Sequence, residues 1–540
     1  MIELDRERGS AEADREVGGS DRIEDLPTLV RTAARRWPER TLLSFPATGE
    51  SATCAEFDGR SDALAAGLVA QGVSPGDRVA VMLPNRLDFP VAWIGIVKAG
   101  GVMVPLNVFY QAADAAHVLQ NSGATVLITD GEHLPLARDM QATCESLTCI
   151  VSVDGPADGV LDLAAVLAGG EGGHHLPRVY PEETANLQYT SGTTGHPKGC
   201  VLSNYYWVRL ARMIAAGPPH LGPDDVLLTA QPFYYMDPQW NLAVALLVGG
   251  ELVVLDRFHP STFWQDVRSH GVTFFYCLGM MPTALHNMPP DPADRDNRVR
   301  GIACSAIPAR LHAQLEERWG APWYEAFGMT ETGGDLRVFE REQELLGTAC
   351  IGRPYPDREI RVADADGNPV PRGTTGELLV RGAGMMDGYF LNPEATRQAF
   401  DAGFFHTGDV VRQDEAGRVF YIGRTKDMIR RSGENIAAAE VEAVLTRHPH
   451  VAEAACVPVP DELRGEEVKV YVVPTDGRPD PAQLREWLSG QLAYFKVPRY
   501  WTFVDQLPKT PSERVAKGEL TAGVEDLRTG AWDSTEDGWR

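Results

Sequence analysis

The sequence predicts an α/β chain. A large N-terminal domain is built of parallel-rich sheets layered with helices, and a small C-terminal α+β domain follows it. Three observations predict this. The 540 residues exceed what one hydrophobic core holds, so at least two domains are expected. Over the first half, short apolar runs alternate with helix-period patterns, the mark of a parallel sheet covered by helices. After about Ile351 the texture turns to alternating strands with turn residues, and past Arg424 to a compact strand-and-helix mixture.

Residues 1–22 are rich in charge and Gly and are expected to be disordered. From Leu29 the pattern is helical, LVRTAARRW, broken by Pro38. RVAVMLP (78–84) reads as a buried strand, FPVAWIGIVKAG (89–100) as a helix and VMVPLN (102–107) as the next strand. TVLITD (125–130), CIVSVD (149–154), DVLLTAQP (225–232), ELVVLD (251–256) and VTFFYCLG (272–279) continue the strand series. Residues 155–185, with the Gly-rich GGEGGHH, read as a surface excursion in which His174 and His175 are exposed linker residues. REIRVADADGNPVPRGTTGELLVRG (358–382) alternates around a DG turn and reads as antiparallel strands. A helix (AAAEVEAVLTRH, 437–448), strands at AACVPVP (454–460) and VKVYVVP (468–474), and a helix (PAQLREWLSGQL, 481–492) make up the small domain. The domain expectation is 23–425 for the large domain, with 351–425 a β subdomain, then 426–522 for the small domain and 523–540 for a loose acidic tail.

Hydrophobic residues at 44% and charged residues at 23% fit a soluble globular protein. A formal charge of −25 argues against nucleic acid and against anionic membranes, both of which ask for a basic face. No apolar segment reaches eighteen residues, and the polar N-terminus offers no signal peptide. The eight Cys are scattered without C-x-x-C or zinc spacing, which suits reduced thiols in a cytoplasmic protein. Oligomeric state is open, a homodimer included.

YTSGTTGHPKG (Tyr189–Gly199) is the densest functional signal. It holds one Ser, three Thr, three Gly and one Lys. Small residues let backbone approach a ligand, while hydroxyls, bare N–H groups and one ammonium suit phosphate. It is not a Walker loop: counting from Gly192, Pro197 stands where the second Gly belongs and Gly199 where a metal-binding hydroxyl belongs. The chemistry is that of a loop wrapped around phosphate, with Thr190, Ser191, Gly192, Thr193, Thr194 and Lys198 as the candidate contacts.

This loop resembles the signature of the adenylate-forming superfamily of acyl-CoA synthetases, nonribosomal peptide adenylation domains and luciferases. Further segments match in the expected order across about residues 30–520. The resemblance implies a small domain that is mobile, and assigns roles to residues of this chain. In WYEAFGMTETGG (323–334), Tyr324 or Phe327 stacks near adenine beside Gly328, Thr330 bonds the α-phosphate and Glu331 holds Mg²⁺, with Thr194 as a second ligand. In FFHTGDVV (404–411), Asp409 accepts from both ribose hydroxyls. In YIGRTKDMIRRSGENI (421–436), Tyr421 and Arg424 contact the nucleotide, Lys426 is the hinge, and Gly433 lines a CoA tunnel. Ser305 in CSAIPA (304–309) stands where relatives have a Gly-rich turn flanking adenine. In QPFYYMDPQW (231–240), Tyr234, Tyr235, Met236 and Trp240 line the acyl pocket.

The chain departs from the pattern in LPKTPSERVAKGEL (507–520). The family has Ser-Gly-Lys there, and this chain has Glu513 and Arg514 in place of the Gly and the catalytic Lys. Arg514, or Lys517 one turn on, is the candidate replacement, with Lys509 a lesser one. The implied activity is ATP- and Mg²⁺-dependent activation of a small-molecule acid as its adenylate, then transfer to CoA. FHPSTFWQDV (258–267), GYFLNPEATRQAF (388–400) and GENIAAAEVE (433–442) look most like the carnitine/crotonobetaine–CoA ligase branch. One alternative is adenylation of another acid, such as nitrite for diazotising an aromatic amine, without CoA. Another is a non-catalytic nucleotide-binding scaffold.

Overall fold

The structure is a computed structural model that describes residues 23–170, 175–190, 197–278, 281–305, 307, 311–364, 366–424, 428–508, 515, 517–521 and 524–540. Among these residues the strands form three sheets. The first runs Leu161–Asp162, Cys149–Ser152, Val126–Thr129, Arg78–Met82, Val102–Pro105, Thr184–Thr190, Lys198–Ser203. All its neighbours are parallel except the last pair. Its strands are near-continuous apolar runs because helices cover both faces.

The second sheet has a parallel half and an antiparallel half. Strands Thr41–Phe45, Glu251–Val254, Val226–Thr229, Phe274–Leu278, Gly301–Ser305 and Trp323–Met329 are parallel neighbours. The chain then turns back at Gly333–Arg337, and the ladder continues antiparallel through Cys350–Pro354, Val419–Arg424, Phe404–Gln413, Thr375–Gly382 and Arg358–Ala363. The sheet reverses where Thr330 and Glu331 lie. Helices Cys54–Ala70, Asp88–Lys98, Asn204–Ala216 and Met236–Val248 pack between the two sheets, burying Trp93, Trp207 and Phe233 in the largest core.

The third sheet centres on the long hairpin Val451–Asp461 and Gly465–Pro474. The hairpin Met428–Arg431 and Glu434–Ala437 pairs onto its far edge. Helices Ala438–Leu445 and Pro481–Ser489 close its core around Val441, Val470 and Trp501.

Two expectations are corrected. Residues 524–540 are not a loose tail. Trp532–Asp533 pairs with Tyr500–Phe503, and Gly538–Trp539 completes the edge. Trp532 and Asp533 are buried, and Arg499 donates twice to Asp533 at 3.1 Å. One buried indole and one buried ion pair outweigh the polar composition. Nor is 155–185 wholly an excursion. Helix Leu163–Gly170 lies so close to helix Cys54–Ala70 that a Cβ on Gly67 or Gly170 would stand 2.1 Å from a carbonyl oxygen of the other helix. Gly170, one of the residues that suggested a loop, permits this packing together with Gly67. His175 is exposed, as expected; residues 1–22 and His174 lie outside the described residues.

Candidate active site

Strands Thr184–Thr190 and Lys198–Ser203 are antiparallel, with Thr190 opposite Lys198. The two feet of the hydroxyl-rich loop therefore meet. Ser191, Gly192, Thr193 and Thr194, the loop's own residues, lie outside the described residues. The Thr190 hydroxyl donates to Glu331 Oε1 at 3.4 Å, and the Tyr389 phenol donates to the same oxygen at 3.2 Å. Lys198 Nζ stands 5.1 Å from the centroid of the Tyr389 ring. One carboxylate, one ammonium and two hydroxyls thus converge from three separate segments of the chain, the Thr190–Lys198 hairpin, the Glu331 turn and Tyr389.

The turn that carries Thr330 and Glu331 is held from below. Arg358 Nε donates to Asp335 Oδ1 at 3.1 Å, both side chains being fully buried. The Thr332 hydroxyl donates to Asp335, and the Arg358 guanidinium donates to the Thr332 carbonyl. Tyr206 donates to the Thr330 carbonyl at 3.0 Å, and the Met386 N–H donates to that of Glu331 at 2.8 Å. Gly328 is obligatory here, because a Cβ would stand 2.1 Å from the Gly333 carbonyl oxygen. Three backbone carbonyls of the turn are engaged, which fixes the main chain that carries Glu331, while Thr190 and Tyr389 hold its carboxylate.

Asp409 is buried on strand Phe404–Gln413, opposite Arg424 in the ladder. The Tyr421 phenol donates to Asp409 Oδ1 at 3.4 Å. Tyr421 and Phe327 pack on the same small core around Leu336, which links this carboxylate to the Thr330 turn. The side chain of Arg424 lies outside the described residues, as do Lys426 and Arg514.

A cavity of about 90 Å³ opens beside these groups. Met236, Asp237, Trp240, Tyr276, Ser305 and Phe327 are in its wall. Thr330 Oγ1 contacts Met236 Sδ at 3.5 Å, so the cavity adjoins the Thr330 turn. Tyr276 donates to Ser305 Oγ at 2.7 Å, and Ser305 donates to the Ala326 carbonyl at 2.8 Å, which closes that side.

Several expected site residues sit elsewhere. Tyr324 is outside the cavity wall, its ring edge 3.1 Å from where a Cβ on Gly301 would be, whereas Phe327 is in the wall. Tyr234 is core: it is 4% exposed, and its carbonyl accepts from Gln188 at 2.8 Å. Tyr235 faces the small domain instead of the cavity. Its phenol donates to Glu434 Oε2 at 2.5 Å and accepts from Asn107 at 2.9 Å. Gly433, at φ +88°, precedes that glutamate, and a Cβ there would strike Leu278 of the large domain. Burial drives Glu434 up to about 7, against the downward pull of the Tyr235 hydrogen bond and Lys496. Lys517 is occupied within the small domain, 2.6 Å from Glu442 Oε1, which also accepts from the Cys456 N–H at 2.6 Å. Tyr389, Asp237, Glu434 and the Arg358–Asp335 pair were not singled out from sequence. The first three do lie in quoted motifs.

Among the described residues no three His, Cys, Asp or Glu cluster as a metal cage. Mg²⁺ asks for one or two carboxylates plus substrate phosphates, and the Glu331 carboxylate is a donor of the kind it takes.

The sequence profile described as AMP-binding enzyme matches residues 30–390, and its C-terminal domain profile matches 440–514. The chain belongs to the AMP-binding enzyme family. Within this family it is 34% identical over 506 residues to sulfoacetate–CoA ligase of Cupriavidus necator, covering 92% of this chain and 97% of the relative. It is 30% identical to crotonobetaine/carnitine–CoA ligase of Salmonella typhi, over 83% of this chain and 89% of the relative. The amide bond synthetase McbA of Marinactinospora thermotolerans superposes with a TM-score of 0.81 at 28% identity, covering 91% of this chain and 98% of McbA. As a member of this AMP-binding family, the chain is an ATP-dependent acid ligase.

Proposed function

We propose that the chain is an acyl-CoA ligase. A carboxylate oxygen of the acid attacks the α-phosphorus of ATP, the bond to the β-phosphate oxygen breaks, and acyl-AMP and pyrophosphate form. The thiol of CoA then attacks the acyl carbon and AMP leaves, giving the thioester. The observation that carries this is the meeting of Thr190, Lys198, Glu331 and Tyr389 at the mouth of a mainly apolar cavity. The cavity takes the acyl group, and the polar cluster takes the phosphates.

Lys198 offsets phosphate charge, and the Thr190 hydroxyl orients the cradle. Glu331 would hold Mg²⁺, which when bound neutralises charge on the phosphates. Asp409 and Tyr421 hold the ribose. Positioning and charge neutralisation supply most of the assistance, as in other phosphoryl chemistry. In the arrangement described, the Gly433 turn and Glu434 abut the large domain, which suits the thiol step. Rotation at Lys426 would present Arg514 for adenylation. The two CoA ligases among the relatives support CoA as acceptor over nitrite adenylation or a scaffold role. No helix among the described residues is long and apolar enough to cross a membrane, and all eight cysteines are free, which supports a cytoplasmic site of action.

The test is AMP release from ATP across a panel of acids, with and without CoA. The expected result is pyrophosphate exchange with acid alone and net AMP release that needs CoA. Release that needs nitrite and an arylamine but no CoA would replace this reading.

A further inference from the structure

The acid-activation reading leaves one charged group in the acyl cavity unused. Asp237 stands in the first turn of helix Met236–Val248 and lines the cavity. Among the described residues it makes no ion pair. The one side-chain donor it meets is Trp240 Nε1, at a long 3.3 Å. Asn241 bonds only its backbone carbonyl, at 2.8 Å. Arg337, the cation in the same wall, donates to the Pro218 carbonyl instead. Two rings flank the carboxylate: Trp240 and Tyr276 meet edge to face with centroids 5.5 Å apart. Both rings belong to the cavity wall.

A carboxylate in a mainly apolar cavity costs free energy unless it is hydrogen-bonded or paired. An apolar acyl group would complete the desolvation of Asp237 and give it nothing. We propose, resting on the acid-activation reading, that the activated acid carries an amino group whose N–H donates to Asp237, the Trp240 and Tyr276 rings enclosing that nitrogen. The geometry joins the two ends of such a molecule. Thr330, expected at the α-phosphate, touches Met236, whose chain neighbour is Asp237. Gly328 and Met329, which lead into Thr330, line the same cavity as Asp237, so one small molecule in it reaches both ends. Aromatic faces beside the carboxylate add attraction if the nitrogen is protonated. Burial also lifts Asp237 to about 6, outweighing the Trp240 bond and its own backbone N–H, and an N–H donor would reverse that shift.

The experiment is ATP–pyrophosphate exchange with matched pairs of acids: aminomethylbenzoate against ethylbenzoate, aminobenzoate against methylbenzoate, aminopentanoate against hexanoate. In at least one pair the amino acid is expected to exceed its carbon isostere in kcat/KM by about 100-fold, since a site built to bond an N–H leaves a polar group unpaired with the isostere. Asp237→Asn should cut that preference to within about 10-fold, and Asp237→Glu should restore part of it. A melting temperature for each variant separates misfolding from altered selectivity. Carbon isosteres preferred in every active pair, or a preference that survives Asp237→Asn, overturns the proposal while leaving acid activation standing. Exchange with no acid of either set, in folded protein, removes the acid-activation reading and this proposal with it.

Discussion

Tyr235 of the large domain donates to Glu434 of the small domain, and this one hydrogen bond reports which way the small domain faces. Its acceptor sits beside the Gly433 turn, which is pressed onto Leu278. A second tie, Lys496 to Asp114 at 3.3 Å with both side chains buried, secures the same seam.

The seam predicts a pH dependence with a definite sign. Glu434 titrates near 7 when docked and near its ordinary 4.5 when released. The docked form therefore binds more protons between those values. Docking loses favour as pH rises through that window and levels off above about 7. Distance reporters on the two domains should read more docked molecules at the acid end of the window than above it. Glu434→Gln should flatten the curve, and a curve unchanged by that substitution would refute the coupling.

Arg514 and Lys517 should separate cleanly. Lys517 is tied to Glu442, and both side chains are 19% exposed. Lys517→Ala should cost about 1 kcal/mol, read as a lower melting temperature, with exchange near normal. Arg514→Ala should lower pyrophosphate exchange at least 100-fold and leave CoA-dependent release from pre-formed acyl-adenylate largely intact. The reverse pattern would make Lys517 the adenylation cation.

What sequence revealed and what it hid follow one physical rule. Thr190 and Lys198 were legible because their short run is dense in hydroxyls, Gly and charge, whereas Glu331 and Asp409 were legible only through the family resemblance of the motifs that hold them. Tyr389 was not, because its value comes from an isolated bridge with Cys200, far away in the chain. Tyr234 and Tyr235 read alike in sequence. The start of the following helix sends one into the core and the other to the small domain. Trp532 hid in an acidic stretch because edge pairing depends on a partner strand some thirty residues earlier.

Glu331→Gln keeps the size of the side chain and removes its charge. Thr190 and Tyr389 can still donate to an amide oxygen, so folding should be little changed. Pyrophosphate exchange should fall about 100-fold, and the fall should deepen as Mg²⁺ is lowered. A loss independent of Mg²⁺ would reassign Glu331 to phosphate or water contacts.

Arg358 never needs to touch a ligand to matter. Its partner Asp335 and its acceptor Thr332 together pin the turn whose outer residues are Thr330 and Glu331. Arg358→Met leaves the Asp335 carboxylate buried without its cation. That should cost about 3–5 kcal/mol, visible as a lower denaturant midpoint. Arg358→Met combined with Asp335→Leu removes both charges and should recover much of the stability. If the double variant is stable yet still slow in exchange, with KM for ATP raised, the pair positions the Glu331 turn as well as supporting the fold. If its exchange returns with its stability, the pair is a fold element alone.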